Sequence, residues 1–277
     1  MQHRRFGNTG KDVAIIGQGS WHIDHGDRAS AMAALQRGID AGMTHIDTAE
    51  MYGDAEPLVG EAIRGRRDGL FLVSKVLPSN ASRAGTIAAC EASLSRLGTD
   101  RLDCYLLHWR GRHPLAETFA AFETLVRDGK ILSWGVSNFD EDDLDEALAV
   151  AGPGRIACNQ VLYHLKQRAI EHAVQPWCER NDVALVAYSP FGHDDFPSAE
   201  SKGGRVLAEI AEAHGATPRQ IALAALARHS FVIPKASSAG HAVQNAAAGD
   251  LTLTEVEIAK IDAAFPVGPK PSTLPML

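Results

Sequence analysis

Four polar side chains in the first half of the sequence have types that together could move a proton. The stretch "MTHIDTAEMYG" contains Asp47 and Tyr52, "LFLVSK" ends in Lys75, and "LDCYLLH" ends in His108. A tyrosine becomes a better general acid when its pKa, about 10 in water, is lowered, and a nearby lysine cation favours the phenolate. A buried lysine needs a carboxylate partner to stay charged, and a neutral histidine can orient a reacting oxygen. We therefore predict that Asp47 holds Lys75, and that Lys75 lowers the pKa of Tyr52.

These side chains lie at or just after the ends of short apolar runs that indicate buried strands. The runs are "AIIGQG", "MTHID", "LFLVSK", "LDCYLLH", "ILSWGVSN", "IACNQ", "VALVAYS" and "FVIPK". Most of them do not alternate with polar residues, which is typical of parallel strands covered on both faces. Helical patterns follow them at Arg28–Ala41, Glu56–Arg64, Arg83–Arg96, Leu115–Arg127, Asp142–Val150, Ala169–Arg180, Arg205–His214, Pro218–Arg228 and Ala239–Ala247. Thr254 and Glu257 form a capping box that opens a final helix.

The alternation of strands and helices predicts an α/β fold, a (β/α)₈ TIM barrel that forms a single domain over residues 1–277. A short N-terminal hairpin in "RRFGNTGKDV" and one extra C-terminal helix complete the prediction. An open doubly wound sheet is the alternative, but "GQGSWH" lacks the third glycine of the dinucleotide-binding motif. A lone histidine on an apolar strand is more often structural than functional. However, polar residues end nearly every strand, and barrel folding does not require such a ring.

Composition and charge limit the classes of partner. The chain has 277 residues, 45% of them hydrophobic, and a formal net charge of −7. An acidic chain is a poor partner for nucleic acid or an anionic membrane, so we expect neither. Four cysteines without C-x-x-C spacing, no signal-peptide pattern and no long apolar run predict a cytoplasmic, reduced protein. We predict no metal site and expect a monomer.

At the chemistry-bearing residues the sequence resembles the aldo-keto reductase superfamily, over almost the whole chain. "IDTAEMYG" is similar to the family segment with its aspartate and catalytic tyrosine, "VSKV" to the lysine segment, and "YLLHW" to the histidine segment. "GKILSWGVSNF", "NQVLYH", "VAYSPFG" and "IPKASS" resemble its later cofactor-binding segments in the same order. The nearest likeness is to the small bacterial members that reduce methylglyoxal and similar 2-oxo aldehydes.

The resemblance implies a nicotinamide cofactor that lies extended across the barrel mouth. Ser137, Asn138 and Gln160 match the residues that hold the carboxamide, and Tyr188 matches the aromatic residue that stacks on the nicotinamide. The segment that passes the pyrophosphate corresponds to Ser189, Pro190, Phe191 and Gly192. Lys235 matches the lysine that meets the adenosine 2′-phosphate, so the resemblance implies NADPH, with NADH possible. Asn245 matches an asparagine that contacts the adenine.

The phosphate-binding segment departs from the family pattern at two positions. Ala236 stands where a serine is common, and His241 stands where the family has a phosphate-binding arginine. Histidine lacks the two-pronged guanidinium of arginine, so both changes weaken the expected phosphate site. Ser237, Ser238 and the start of the following helix could still donate hydrogen bonds to an anion.

The expected activity is reduction of a small-molecule aldehyde or ketone to an alcohol. The resemblance implies that hydride comes from the nicotinamide and the proton from Tyr52, with His108 beside the substrate oxygen. Trp21 and Trp109 follow strand ends and are candidates for the substrate pocket wall. The weakened phosphate site leaves open an NAD-preferring alcohol dehydrogenase. A cofactor-binding regulatory subunit is a further alternative.

Overall fold

A two-stranded antiparallel hairpin covers one end of the molecule. The computed structural model describes residues 1–277. Strands β1 (His3–Arg5) and β2 (Asp12–Ala14) pair in this hairpin, as predicted. Between them Gly7 has a φ of 48°, and a Cβ atom there would collide with the carbonyl oxygen of Ala157. Only glycine fits this close approach of two backbones without strain.

Eight parallel strands follow the hairpin, and neighbours in sequence are neighbours in the sheet. They are β3 (Gln18–Gly19), β4 (His45–Asp47), β5 (Phe71–Val76), β6 (Leu102–Leu107), β7 (Ile131–Ser137), β8 (Ile156–Leu162), β9 (Ala184–Tyr188) and β10 (Phe231–Val232). The sheet closes on itself because Gly17 N donates to Val232 O at 2.8 Å and Gly19 N donates to Pro234 O at 3.1 Å. The predicted TIM barrel is confirmed.

Ten α-helices surround the barrel or follow it. They are α1 (Arg28–Asp40), α2 (Ala55–Ala62), α3 (Arg83–Leu97), α4 (Leu115–Arg127), α5 (Glu141–Ala151), α6 (Val174–Arg180), α7 (Lys202–His214), α8 (Pro218–Leu226), α9 (Ala239–Ala247) and α10 (Glu255–Ala264). Both α7 and α8 lie between β9 and β10, and α10 is the predicted extra C-terminal helix. The Thr254–Glu257 capping box is present. No helix is long and apolar enough to cross a lipid bilayer.

Two predicted elements differ from the observed ones for reasons that involve proline. The predicted helix Ala169–Arg180 divides into a 3₁₀ turn, Ala169–His172, and α6. Pro176 has no N–H to offer the His172 carbonyl, and its ring would clash with that oxygen in a continuous helix. The strand predicted in "FVIPK" is assigned only over Phe231–Val232, since Pro234 lacks a backbone donor, although Pro234 O still accepts the bond from Gly19 N.

The barrel interior is filled by side chains from alternate strand positions. Phe71 and Val73 on β5, and Cys104 and Leu106 on β6, belong to an apolar cluster that also contains Phe6 of the hairpin. Successive strand residues point to opposite faces, so the next inward positions are two residues further along each strand. Below the mouth this interior is apolar except for His45, which packs against Phe6 and Phe71, and at the C-terminal mouth the inward residues become polar.

Candidate active site

Three polar side chains lie at the barrel mouth, one at or just after the end of each of three neighbouring strands. Asp47 is the last residue of β4, Lys75 lies near the end of β5, and His108 directly follows β6. Lys75 is two residues beyond the inward-facing Val73, and His108 is two residues beyond Leu106. The strand pattern thus places a cation, an acid and an imidazole above the same apolar layer.

Asp47 and Lys75 form a buried ion pair. Lys75 Nζ lies 2.5 Å from Asp47 Oδ1, and their side chains are 0% and 2% exposed. The ammonium also donates to Thr48 O at 2.9 Å, while Gln160 Nε2 donates to Asp47 Oδ2 at 2.7 Å. Burial alone would lower the pKa of Lys75, but the Asp47 carboxylate and the hydrogen bonds of Lys75 with Asp47 and Tyr52 outweigh it and raise that pKa. Lys75 is therefore an ammonium ion at neutral pH.

Tyr52 reaches this pair from the turn after β4. Its hydroxyl lies 3.4 Å from Lys75 Nζ, and the ammonium is 4.9 Å from the centre of the ring. Lys75 lowers the pKa of Tyr52, as predicted, but the net pKa of Tyr52 is raised, which we did not predict. Burial raises the pKa of Tyr52 above its ordinary value by more than Lys75 lowers it. The phenol is thus protonated at neutral pH, which is the form that a general acid requires.

His108 faces the same hydroxyl from the neighbouring strand. Its Nε2 lies 3.4 Å from Tyr52 Oη, and its side chain is buried. Burial and the nearby Lys75 cation lower the pKa of His108 to about 2, so the imidazole is neutral. Its Nδ1 has no hydrogen-bond partner. A neutral histidine beside a protonated phenol can orient an oxygen without competing for the transferred proton.

The residues predicted to bind the nicotinamide and its carboxamide lie beside the ion pair and are joined to one another or to nearby backbone by hydrogen bonds. Asn138 Nδ2 donates to His108 O at 3.1 Å, and Tyr188 Oη donates to Asn138 Oδ1 at 2.9 Å. Ser137 Oγ donates to Gln160 O at 2.8 Å. Asn138 has a φ of 59°, in the left-handed region that asparagine tolerates better than most residues. Gln160 therefore connects this group to Asp47.

Two adjoining cavities open at the mouth. A cavity of about 150 Å³ is lined by Trp21, Met51, Tyr52, His108, Trp109, Ser137, Asn138, Gln160, Tyr188, Met276 and Leu277. A second cavity, of about 270 Å³, shares Trp21, Tyr52, Gln160 and Tyr188 with the first. It continues past Ser189, Pro190, Phe191 and Gly192 to Lys235. Together they form a groove, which we call the mouth groove, with Tyr52 where the two cavities meet and Lys235 on the wall of the larger one.

The remaining predicted cofactor residues lie beyond the Lys235 end of this groove. Lys235 Nζ donates to Ser237 Oγ at 3.1 Å, and Ser238 is the N-cap of α9, accepting from His241 N at 3.3 Å. His241 is exposed on the first turn of α9, and Asn245 is buried on the same helix. A helix N-terminus beside a lysine suits an anion. None of these four residues, Ser237 to Asn245, lines the mouth groove itself.

The structure adds residues that sequence reasoning missed. Met51, Met276 and Leu277 line the smaller cavity, and Leu277 N donates to Tyr188 Oη at 3.4 Å. Met51 directly precedes Tyr52, so its position in the sequence was a usable signal. The contact between Leu277 and Tyr188 spans 89 residues, and no motif indicated it.

Another cavity, of about 210 Å³, lies on the outer wall of the barrel and contains none of the residues above. Arg168 lies within it, 2.6 Å from Glu171 and 2.8 Å from Asp262. Tyr163 Oη donates to Glu171 at 2.8 Å. Because these polar groups satisfy one another, the mouth groove is the better candidate site.

Comparison with known proteins gives one consistent result. The family model described as "Aldo/keto reductase family" matches residues 15–265. Methylglyoxal reductase YeaE of Escherichia coli (strain K12) is 45% identical over 281 residues, covering 99% of this chain and 98% of the relative. Glyoxal reductase of Bacillus subtilis (strain 168) is 34% identical over 274 residues, covering 96% and 95%.

A solved structure agrees with the sequence relatives. An aldo/keto reductase from Klebsiella pneumoniae, crystallised in complex with NADP and acetate, has a TM-score of 0.91 and 44% sequence identity to this chain. The match covers 98% of each chain. The family model and these relatives each extend over most of the sequence, from the first barrel strand to the last helix. The chain belongs to the aldo/keto reductase family.

Proposed function

We propose that this protein is an NADPH-dependent carbonyl reductase, that 2-oxo aldehydes such as methylglyoxal are its substrate class, and that Tyr52 is the proton donor. The observation that carries the proposal is the position of the Tyr52 hydroxyl. It lies 3.4 Å from both Lys75 Nζ and His108 Nε2, at the wall of the smaller cavity. The name of the Escherichia coli relative supports the substrate class, and the Klebsiella pneumoniae complex supports the cofactor.

The mouth groove fits an extended dinucleotide. At one end, the ring of Tyr188 and the amides of Asn138 and Gln160 offer stacking and hydrogen bonds to a nicotinamide. At the other end, Lys235 and the N-terminus of α9 suit a phosphate. Once bound, the cofactor supplies a hydride to the carbonyl carbon.

The protein's own groups handle the carbonyl oxygen. In our proposal the oxygen binds between Tyr52 Oη and His108 Nε2, which face the same cavity. Tyr52 gives its proton to the oxygen as negative charge develops there. The Lys75 ammonium, held by Asp47, then stabilises the phenolate that remains, because an adjacent cation lowers the free energy of an anion in a buried site. Trp21 and Trp109 line the same cavity and offer apolar walls to the substrate.

The direct test is an absorbance assay at the nicotinamide band. We expect purified protein to oxidise NADPH when methylglyoxal, glyoxal or simple aldehydes are supplied, and to do so more slowly with NADH. Omission of the carbonyl compound is the control. Reduction of NAD⁺ by alcohols, without oxidation of NADPH by any carbonyl in the panel, would instead support the NAD-preferring dehydrogenase.

Cofactor choice should depend on Lys235. We expect Lys235→Met to weaken NADPH binding about tenfold to a hundredfold, since a hydrogen bond to a charged group contributes about 1.5–3 kcal/mol. NADH binding should change little, because NADH lacks the 2′-phosphate. Conversely, His241→Arg should tighten NADPH selectively, since arginine can bind phosphate through two parallel hydrogen bonds. Dissociation constants for both cofactors, measured by fluorescence titration, give the comparison.

The matched control for this pair is Lys11→Met, since Lys11 is exposed near the hairpin at the opposite end of the barrel. Its cofactor affinities should equal those of the unmodified protein. If the unmodified protein binds NADPH and NADH with equal affinity, and Lys235→Met changes neither affinity, then our assignment of the phosphate site is wrong. That result would favour the NAD-linked alternative.

A further inference from the structure

The turn between β4 and α2 carries Tyr52, and Glu50 joins this turn to the end of β5. Within the turn, Tyr52 N donates to Ala49 O at 3.1 Å. Across to β5, Glu50 N donates to Lys75 O at 3.3 Å. The backbone of Glu50 is therefore bonded to the strand that holds the ammonium, two residues before the residue that holds the phenol.

The side chain of Glu50 makes two further bonds just beyond β5. Its Oε1 accepts from Leu77 N at 2.5 Å and from Asn80 Nδ2 at 3.1 Å. Leu77 directly follows β5, and Asn80 ends the 3₁₀ turn that comes next. The carboxylate serves Leu77 N as a backbone carbonyl would if the two strands continued to pair. Glu50 thus ties the turn to the segment after β5 through its side chain as well as its backbone.

Both donors to the Glu50 side chain are neutral groups, a backbone N–H and an amide. The side chain is half-buried. A glutamine has the same length and the same Oε1 acceptor, so it can keep both bonds without the charge. The connection therefore depends on an acceptor at this position and not on an ion pair.

The segment that Glu50 holds also contacts the strand and loop that carry the imidazole. His108 N donates to Val76 O at 3.0 Å. A Cβ atom on Gly111, in the loop after β6, would lie 2.5 Å from Pro78 Cβ, so the two loops are in close contact. One short segment after β5 consequently lies between the turn that bears the phenol and the loop that bears the imidazole.

The geometry around the phenol leaves little room for displacement. Tyr52 Oη lies 3.4 Å from both Lys75 Nζ and His108 Nε2, already longer than the usual range of about 2.7–3.2 Å. A general acid must lie within hydrogen-bond reach of the atom that it protonates. Because misplacement of a reacting group by about 1 Å can cost about 10²-fold in rate, the anchoring of this turn matters for turnover.

We propose that Glu50 is a positioning residue for the reaction, and that its hydrogen bonds hold the turn so that the Tyr52 hydroxyl reaches Lys75 and His108. Glu50 lines neither cavity of the mouth groove, so it acts through Tyr52 and not by contact with substrate or cofactor. The inference rests on the proposed function, because it needs Tyr52 as the proton donor. It goes further by assigning a role in turnover to a residue outside the groove.

Three substitutions of Glu50 separate its acceptor from its charge. Glu50→Ala removes both side-chain bonds and should lower kcat about tenfold to a hundredfold, while the dissociation constant for NADPH changes by less than about twofold. Glu50→Met keeps the length of the side chain without an acceptor, so it should show the same loss even if the alanine protein is unstable. Glu50→Gln keeps the acceptor and should retain kcat within about threefold. Steady-state kinetics and fluorescence titration give these values.

A residue that acts through Tyr52 should lose its effect when the phenol is already absent. Tyr52→Phe and the double variant Glu50→Ala, Tyr52→Phe should therefore have the same residual kcat within about twofold. A residue that only stabilises the fold would instead lower kcat by the same factor in both backgrounds.

Asp103→Asn is the matched control for lost stability, because it acts at the opposite end of the same strand. Asp103 Oδ2 accepts from Leu72 N at 2.9 Å and forms an ion pair with Arg67 at 2.7 Å. The asparagine should lower the free energy of unfolding, measured with urea, without a change in kcat at a temperature where the protein is folded.

The outcomes distinguish this inference from the proposed function. If Glu50→Ala and Glu50→Met keep their kcat, or if Glu50→Ala lowers the residual kcat of Tyr52→Phe as strongly as that of the unmodified protein, the inference is wrong while the reductase proposal stands. If Glu50→Gln is as impaired as Glu50→Ala, the charge and not the acceptor is required, and the inference is again wrong. If Tyr52→Phe itself retains most of its kcat, the proton donor is misassigned and both proposals fail.

Discussion

Replacement of Tyr52 by phenylalanine should lower kcat for aldehyde reduction by about 10²–10⁴-fold, the usual contribution of a general acid. The phenylalanine keeps the ring that packs against Lys75 and His108 but has no proton to give. Because the hydroxyl is not among the groups that we expect to bind the cofactor, the dissociation constant for NADPH should change by less than about twofold, within the range of a lost neutral contact. Steady-state kinetics and fluorescence titration measure the two quantities separately.

Tyr105→Phe is the matched control for this change. Tyr105 is buried in β6, packs against Phe122 of α4, and has a hydroxyl without a hydrogen-bond partner. Its removal should leave kcat unaltered. A Tyr52→Phe enzyme that retains most of its kcat, or that loses cofactor binding as severely as turnover, would remove Tyr52 from the role of proton donor.

The barrel and the residues at its mouth were predictable because both depend on local patterns. Apolar runs without alternation indicated parallel strands, and polar residues at the ends of those runs indicated the mouth. Asp47, Lys75 and His108 occupy the next inward position above a filled apolar layer, so the period of the strand alone brings them together. The contact of Lys75 with Asp47 follows from the pairing of β4 with β5.

The pKa of Tyr52 could not be predicted in this way. The sequence shows that a lysine lies close enough to lower that pKa, but it does not show how much water the phenol loses. In the structure, burial is the larger influence and the direction reverses. The proposed mechanism does not depend on a lowered pKa in the resting protein, since a proton donor must be protonated before it acts.

Contacts between distant loops were equally inaccessible to sequence reasoning. Leu277 reaches Tyr188 from the C-terminal tail, and His193 reaches Trp21 from the loop after β9. Both contacts depend on how loops of irregular conformation cross the mouth, which no repeat or spacing encodes.

Replacement of Asp47 by asparagine should reduce both stability and activity. The change keeps the shape of the side chain but leaves Lys75 as a buried cation without a counter-ion, and such breaks cost about 3–5 kcal/mol. Burial would then lower the pKa of Lys75, because the charge that raises it is gone. A neutral lysine cannot stabilise the Tyr52 phenolate, so kcat should fall as well. Urea unfolding and steady-state kinetics measure the two losses.

The double variant Asp47→Asn, Lys75→Met separates the two effects, since removal of both charges leaves no stranded ion. It should recover much of the stability but none of the activity. Asp68→Asn is the control, because Asp68 pairs with Arg101 at the surface with a side chain 92% exposed, and such changes stay within about 0.5 kcal/mol.

The pH dependence of this loss gives an independent check on the ion pair. A lysine whose folded-state pKa is raised above its unfolded value of about 10.4 contributes stability that is fully present below that value. The contribution disappears as the pH rises through the folded-state pKa. The stability difference between the unmodified protein and Asp47→Asn should therefore shrink as the pH rises from the lowered folded-state pKa of Lys75 in the variant towards about 10.4, and shrink further above about pH 10.4. An Asp47→Asn protein with an unchanged free energy of unfolding and an unchanged pH–rate profile would show that Asp47 does not hold Lys75 in its charged form.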